Sequence, residues 1–198
     1  MPEFNLYPRT PFGGSESITE DWSGFTIREV PEHSLASVAA RHGQEEALRA
    51  AVKTAFGVDL PSPGRSARGG AVVFEWMGQG QWFAEAKGKG DVAFARELSE
   101  TLGETASITN QSDSWVQLQL SGANTRAVLE KLCPLDLHGS VFTPGAVART
   151  VMEHLGAIIA LLDDSPSFKL LTARSSSRSF LHALRQAADS TCGPRINS

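Results

Sequence analysis

The chain has 198 residues, of which 41% are hydrophobic and 20% charged, with a formal net charge of -4. That is enough chain to bury a real core, too apolar for intrinsic disorder, and without the basic block that nucleic acid would require. No apolar run approaches bilayer length, no secretory leader opens the sequence, and Cys133 and Cys192 lie far apart without a C-x-x-C, so the sequence reads as cytoplasmic with reduced thiols and no membrane partner.

In chain order, residues 1–24 carry Phe4, Leu6, Tyr7, Phe12 and Trp22 among prolines and glycines, with no period of 2 or 3.6. Two readings stand open: a loose tail, or an extended arm whose large apolar groups order against a partner. Residues 25–30 and 34–40 read as short strands. Residues 44–56 form a helix with Leu48, Ala51, Val52 and Ala55 on one stripe. Residues 61–70 read as an exposed loop carrying Arg65 and Arg68. Strands over 71–76 and 81–86 flank the hairpin turn at Gly78-Gln79-Gly80. Asp91 is the expected cap of a helix running to about Leu102, and 105–109 is a strand.

The stretch from Ser112 begins with strict alternation, Trp115, Gln117 and Gln119 against Val116, Leu118 and Leu120, which predicts a strand with one buried face. A helix over 122–132 follows, with Ser121 or Asn124 as its cap, and Pro134 ends it. Strands near 147–153, 156–162 and 167–172 and a helix over 177–188 complete the pattern, and 191–198 reads as a tail. The order in 34–109 is that of a split βαβ unit, and 115–188 begins the same order again. The fold class is therefore α+β, with two interlocked ferredoxin-like halves sharing one domain over 25–190.

Candidate chemistry is sparse. Gly78-Gln79-Gly80 lacks the flanks of either phosphate-binding glycine motif, and Gly88-Lys89-Gly90 is a short turn before a helix. Asp136 and His138, with His154 further on, invite a metal or acid–base reading, but no further ligands recur at a usable spacing. Asp136 is better assigned to loop backbone N–H groups, with Leu135 and Leu137 docked in the core. Arg174 and Arg178 bracket serines that suit a helix start, and Cys133 follows an apolar helix face as a buried thiol. No catalytic, cofactor-binding or metal-ligating residue is assigned.

W-V-Q-L-Q-L-S-G, C-P-L-D-L-H, V-F-T-P-G-A-V-A-R-T and F-K-L-L-T-A-R-S-S resemble the gamma subunit of heterotetrameric sarcosine oxidase, over roughly residues 25–188. The resemblance implies the fold of the folate-binding domain of aminomethyltransferases and a non-catalytic assembly role beside alpha, beta and delta subunits. The assembled enzyme would oxidise sarcosine to glycine and hydrogen peroxide and pass the one-carbon unit to tetrahydrofolate. FAD, FMN, NAD, tetrahydrofolate and zinc would belong to the other subunits. Two alternatives stay open: a free-standing folate-binding protein like the aminomethyltransferases, and the equivalent subunit of a related N-methyl amino-acid oxidase or dehydrogenase.

Overall fold

Alternating apolar positions build two antiparallel sheets, and helices with one apolar stripe cover the outer face of each. The computed structural model describes residues 9–31 and 33–196. Its strands are β1 (Thr19–Trp22), β2 (Phe25–Glu29), β3 (His33–Ala40), β4 (Ser66–Gly69), β5 (Val72–Gly78), β6 (Gln81–Lys87), β7 (Ala106–Asn110), β8 (Trp115–Ser121), β9 (Val147–Met152), β10 (Leu155–Asp163) and β11 (Ser167–Ala173). The helices are α1 (Glu45–Phe56), α2 (Asp91–Leu102), α3 (Thr125–Leu129) and α4 (Ser177–Cys192).

One sheet has the order β4-β5-β6-β3-β7 and the other β1-β2-β8-β11-β10-β9. In the first, β3, α1, β5, β6, α2 and β7 make a ferredoxin-like unit with β4 added at its edge. The second repeats that plan: β9 takes the place of β4, and β10, β11 and β8 follow in turn. The fifth position, that of β7, is filled by β2, which precedes the whole first unit in the chain. That borrowed strand is what interlocks the halves.

Helices α1 and α2 bury Leu48, Val52, Phe94 and Leu98 against Val38, Phe74 and Trp82 of the first sheet. On the second, α3 and α4 bury Val128, Leu129, Phe180 and Leu184 against Ile27, Leu118, Ile159 and Leu170. The inner faces of the two sheets meet through Leu35, Met77 and Phe83 on one side and Val147, Ile158, Ala160 and Leu171 on the other. The result is four layers, helix–sheet–sheet–helix.

Several boundaries differ from the sequence expectation, each for a physical reason. Of the segment expected as an arm, residues 1–8 lie outside the described residues, and residues 9–24 belong to the domain. Strand β1 pairs with β2, and Trp22 is buried at 3% exposure in the core beneath α4. Phe12, Ile18 and Trp22 thus pack within the chain. The loop at 61–70 contains β4, held by pairing to β5 and by Ser66 N–H donating to Gly145 O at 2.8 Å.

The helix expected over 122–132 is reduced to α3 and the turns after it. Gly122 sits at φ +113, outside helical geometry, and the Asn124 N–H donates across to Gly24 O at 2.9 Å. Asn124 is the residue before α3, but its side-chain Nδ2 donates to Ser23 O rather than capping the helix. Asp91 is likewise the first residue of α2 and not its cap, which is Gly90. Helix α4 runs on through Cys192, four residues beyond expectation, and Gly193 at φ +82 ends it. The tail then docks, with Ile196 N–H donating to Asp21 O at 2.8 Å.

A methyl group at Gly122 would press on the Gly24 carbonyl in a backbone conformation L-residues rarely adopt. Gly122→Ala is therefore expected to lower stability by about 2–3 kcal/mol, measured by denaturant unfolding. A loss below 0.5 kcal/mol would show that the β1–β2 turn yields without strain.

Candidate functional site

The alternation in β8 has a consequence beyond the one-buried-face pattern expected of it. Its polar side, Gln117 and Gln119, faces the opposing sheet, and Gln117 is only 7% exposed. Across that interface lies a buried ionic cluster. Lys169 Nζ of β11 is 2.7 Å from Glu75 Oε1 of β5 and 2.5 Å from Glu85 Oε2 of β6, with Glu75 and Lys169 only 1% and 4% exposed. Gln117 Nε2 donates to Glu85 Oε1 at 3.1 Å.

Two carboxylates thus share one ammonium in the centre of the molecule. Burial pushes the Glu85 carboxyl up, but Lys169 and the Gln117 hydrogen bond outweigh it and hold the pKa below the usual range. Burial dominates at Glu75, whose carboxyl is held above the usual range despite Lys169. For Lys169 burial acts to lower the pKa, and the two glutamates more than reverse it. These groups are spent on one another; their chemistry is that of a cross-sheet lock.

A second ionic group ties the chain ends. Arg185 of α4 forks onto the buried Glu20 of β1, and Arg195 Nη1 lies 3.0 Å from the same carboxylate. Burial tends to raise the Glu20 pKa, and the two guanidiniums bring it below the ordinary value.

The block from Cys133 to Gly145 is a plug. Leu137 and Phe142 are buried in the core of the second sheet, Phe142 stacks on Phe168 at 6.2 Å between ring centroids, and the Arg126 guanidinium lies 5.2 Å over Phe168. Asp136 and His138 are both exposed. Asp136 Oδ1 accepts the His138 N–H at 2.9 Å, and His138 Nδ1 lies 2.8 Å from Ser140 Oγ. His154 is at the tip of the β9–β10 hairpin, not within a strand, at φ 65. Asp136 and His138 share a loop, and His154 is on another. Among the described residues no three His, Cys, Asp or Glu side chains come together as a metal-ligating group.

Residues 143–145 staple the two sheets, with Arg65 Nη1 donating to Thr143 Oγ1 at 3.1 Å and Nη2 to Pro144 O at 3.2 Å. Gly78-Gln79-Gly80 joins two antiparallel strands, which does not fit a dinucleotide: a phosphate loop needs a helix N-terminus behind it. In Gly88-Lys89-Gly90, Lys89 is paired with Glu97 at 2.7 Å. Ser177 Oγ donates to Pro11 O and so fastens the N-terminal segment, while Ser176 before α4 makes no side-chain cap hydrogen bond. Cys133 is buried with Sγ 3.8 Å from Thr150 Oγ1, and both cysteines are free.

Glu75, Glu85, Lys169, Glu29 and His33 escaped the sequence reading. The available signal was a charge at an inward position of an otherwise apolar strand, as in F-K-L-L, where alternation puts Lys169 on the same face as Leu171.

The fold of two stacked sheets with outer helices is similar to that of the "glycine cleavage system aminomethyltransferase T" of Bartonella henselae. That structure superposes with a TM-score of 0.63 at 15% identity, over 87% of this chain and 51% of that one. Nearer in sequence is a chain of the heterotetrameric sarcosine oxidase of Corynebacterium sp. U-96, determined in complex with pyrrole 2-carboxylate. It has a TM-score of 0.74 at 25% identity, covering 87% of both chains. The chain belongs to the sarcosine oxidase gamma subunit family, whose family model matches residues 41–190. It is also 31% identical over 139 residues to "Sarcosine oxidase subunit gamma" of an Arthrobacter species, a match covering 67% of this chain and 65% of that protein's length.

Proposed function

We propose that this chain is the gamma subunit of a heterotetrameric sarcosine oxidase and that it serves assembly rather than catalysis. The observation that carries the reading is the family match over residues 41–190, joined to a structural match along 87% of a chain from such a heterotetramer. Its partners would be the alpha, beta and delta subunits, in the cytoplasm; among the described residues no helix is long and apolar enough to cross a membrane. The assembled enzyme would convert sarcosine to glycine and hydrogen peroxide and hand the one-carbon unit to tetrahydrofolate.

FAD, FMN, NAD, tetrahydrofolate and zinc are assigned to the other subunits. Removing a hydride from a secondary amine needs an electron acceptor such as flavin, and this chain's glycine turns do not fit a dinucleotide. Its central ionisable groups support a structural assignment, because Lys169, Glu75 and Glu85 are committed to holding two sheets together.

Co-expressed with the three partners, the chain is expected to copurify in stoichiometric amount, and its omission is expected to reduce soluble active oxidase at least tenfold. Purified alone it should be colourless and should not oxidise sarcosine. Full activity from the other subunits without it, or flavin bound to the isolated chain, would refute the reading. A tight folate complex of the isolated chain would favour a free-standing folate-binding protein instead.

A further inference from the structure

A cavity of about 470 Å³ opens where the N-terminal segment, the β2–β3 connection and the start of β8 meet. Its walls include Thr10, Glu29, His33, Gln117 and Arg174. Four of these side chains present a buried polar atom without a partner among the described residues: Thr10 Oγ1, Glu29 Oε1, His33 Nε2 and Gln117 Oε1. Glu29 and Gln117 are 4% and 7% exposed. Buried polar atoms ordinarily have partners, so four vacancies around one cavity point to an occupant.

The chemistry of the vacancies says what kind. Glu29 Oε2 already accepts the Ile18 N–H at 3.0 Å, leaving Oε1 to accept another proton. The Gln117 amide is oriented by its donation to Glu85, so the free atom is its carbonyl oxygen. His33 Nδ1 is 2.8 Å from Val30 O, and a carbonyl only accepts; Nδ1 is therefore the donor of that pair, and Nε2 is the ring nitrogen left without a partner. Glu29 Oε1 and Gln117 Oε1 are thus acceptors waiting for donors, and the Thr10 hydroxyl serves either way.

Charge agrees. Glu16, Glu29, Asp91 and Asp113 border the cavity against Arg9 and Arg174, four carboxylates to two guanidiniums. Burial holds the Glu29 carboxyl above the usual range, with the Ile18 N–H and Arg174 only partly opposing it, so a cation beside it would relieve the strain of ionising there.

We propose that this cavity binds a small organic amine as its ammonium ion, with Glu29 as counter-charge and Gln117, His33 and Thr10 as hydrogen-bond partners. The site goes beyond the subunit reading and is independent of it: partner copurification tests one, and ligand binding by the full chain tests the other. The probe is methylammonium, added to the ¹⁵N-labelled full chain while the Gln117 side-chain amide and the Val30 and His33 backbone amides are followed. Tetramethylammonium, which carries the charge but no N–H, is the control.

Methylammonium is expected to shift those signals saturably, and tetramethylammonium at equal concentration is not. Glu29→Gln keeps the shape and an acceptor for the Ile18 N–H but removes the charge, and should weaken binding at least tenfold. If Glu29→Gln does not fold, Thr10→Val reads the same site from the opposite wall, with at least a threefold loss. Absence of saturable shifts, equal shifts with both cations, or full affinity in the variant that folds would overturn the proposal.

Discussion

Lys169→Met is expected to destabilise the protein by roughly 3–5 kcal/mol, because it leaves two carboxyl groups buried between the sheets with no counter-charge. In the parent chain the ammonium touches Glu75 and Glu85 together; Glu75 has no solvent to fall back on, and the Glu85 side chain is only 16% exposed. The sign of the pH dependence follows from the same contacts. Glu85, held below its ordinary pKa, contributes stability above the unfolded value that is lost as pH falls through its folded pKa. Lys169, held above its ordinary value, contributes stability that is complete below the unfolded lysine pKa and disappears as pH rises through the folded one.

Without the ammonium both carboxyls have raised folded pKa values, so they are tolerated while protonated and become a burden as pH rises above the unfolded value of about 4.3. The deficit of Lys169→Met relative to the parent should therefore be large at pH 7 and shrink towards pH 4, measured by urea unfolding at each pH. Replacing all three ionic residues by apolar ones, Lys169→Met with Glu75→Leu and Glu85→Leu, should recover most of the loss. A deficit that is independent of pH, or a triple variant no more stable than the single, would show that packing at Lys169 and not charge carries the effect.

What the sequence made legible and what it hid divide along one physical line. Local periodicity places β3, α1, β5, β6, α2 and β8 to within a residue or two, because each contains its own alternation or stripe. The doubled split βαβ order is also readable, since both halves keep the same sequence of elements. Non-local pairing is not readable. Strand β1 is four residues long and lies in a proline- and glycine-rich segment; it is a strand because β2 and α4 give Trp22 and Glu20 their partners. Strand β4 exists because β5 and Gly145 take its backbone groups. The cross-sheet lock and the cavity are hidden for the same reason. Glu75, Glu85, Gln117 and Lys169 meet through the stacking of two sheets, and Glu29 comes beside Gln117 only through the pairing of β2 with β8.

The other large effect lies in the segment at 9–24. Trp22→Ala is expected to cost about 3–5 kcal/mol, as truncating a buried Trp in a core that cannot fully collapse does. The indole packs against Phe25 at 5.7 Å between centroids, within the cluster built on α4, and its Nε1–H donates to Asp189 Oδ1 at 2.7 Å. Two separate losses follow from truncation: a cavity beside α4, and an Asp189 carboxylate left without its indole donor. Trp22→Phe separates them, since it retains most of the ring volume and removes only the N–H, and should cost about 1 kcal/mol. The comparison also decides what the segment is for. An arm ordered only by a partner subunit would leave the isolated chain's unfolding midpoint unchanged in either variant. The pairing of β1 with β2 and the salt bridges from Glu20 to Arg185 and Arg195 instead require both midpoints to fall in the isolated chain, Trp22→Ala the further.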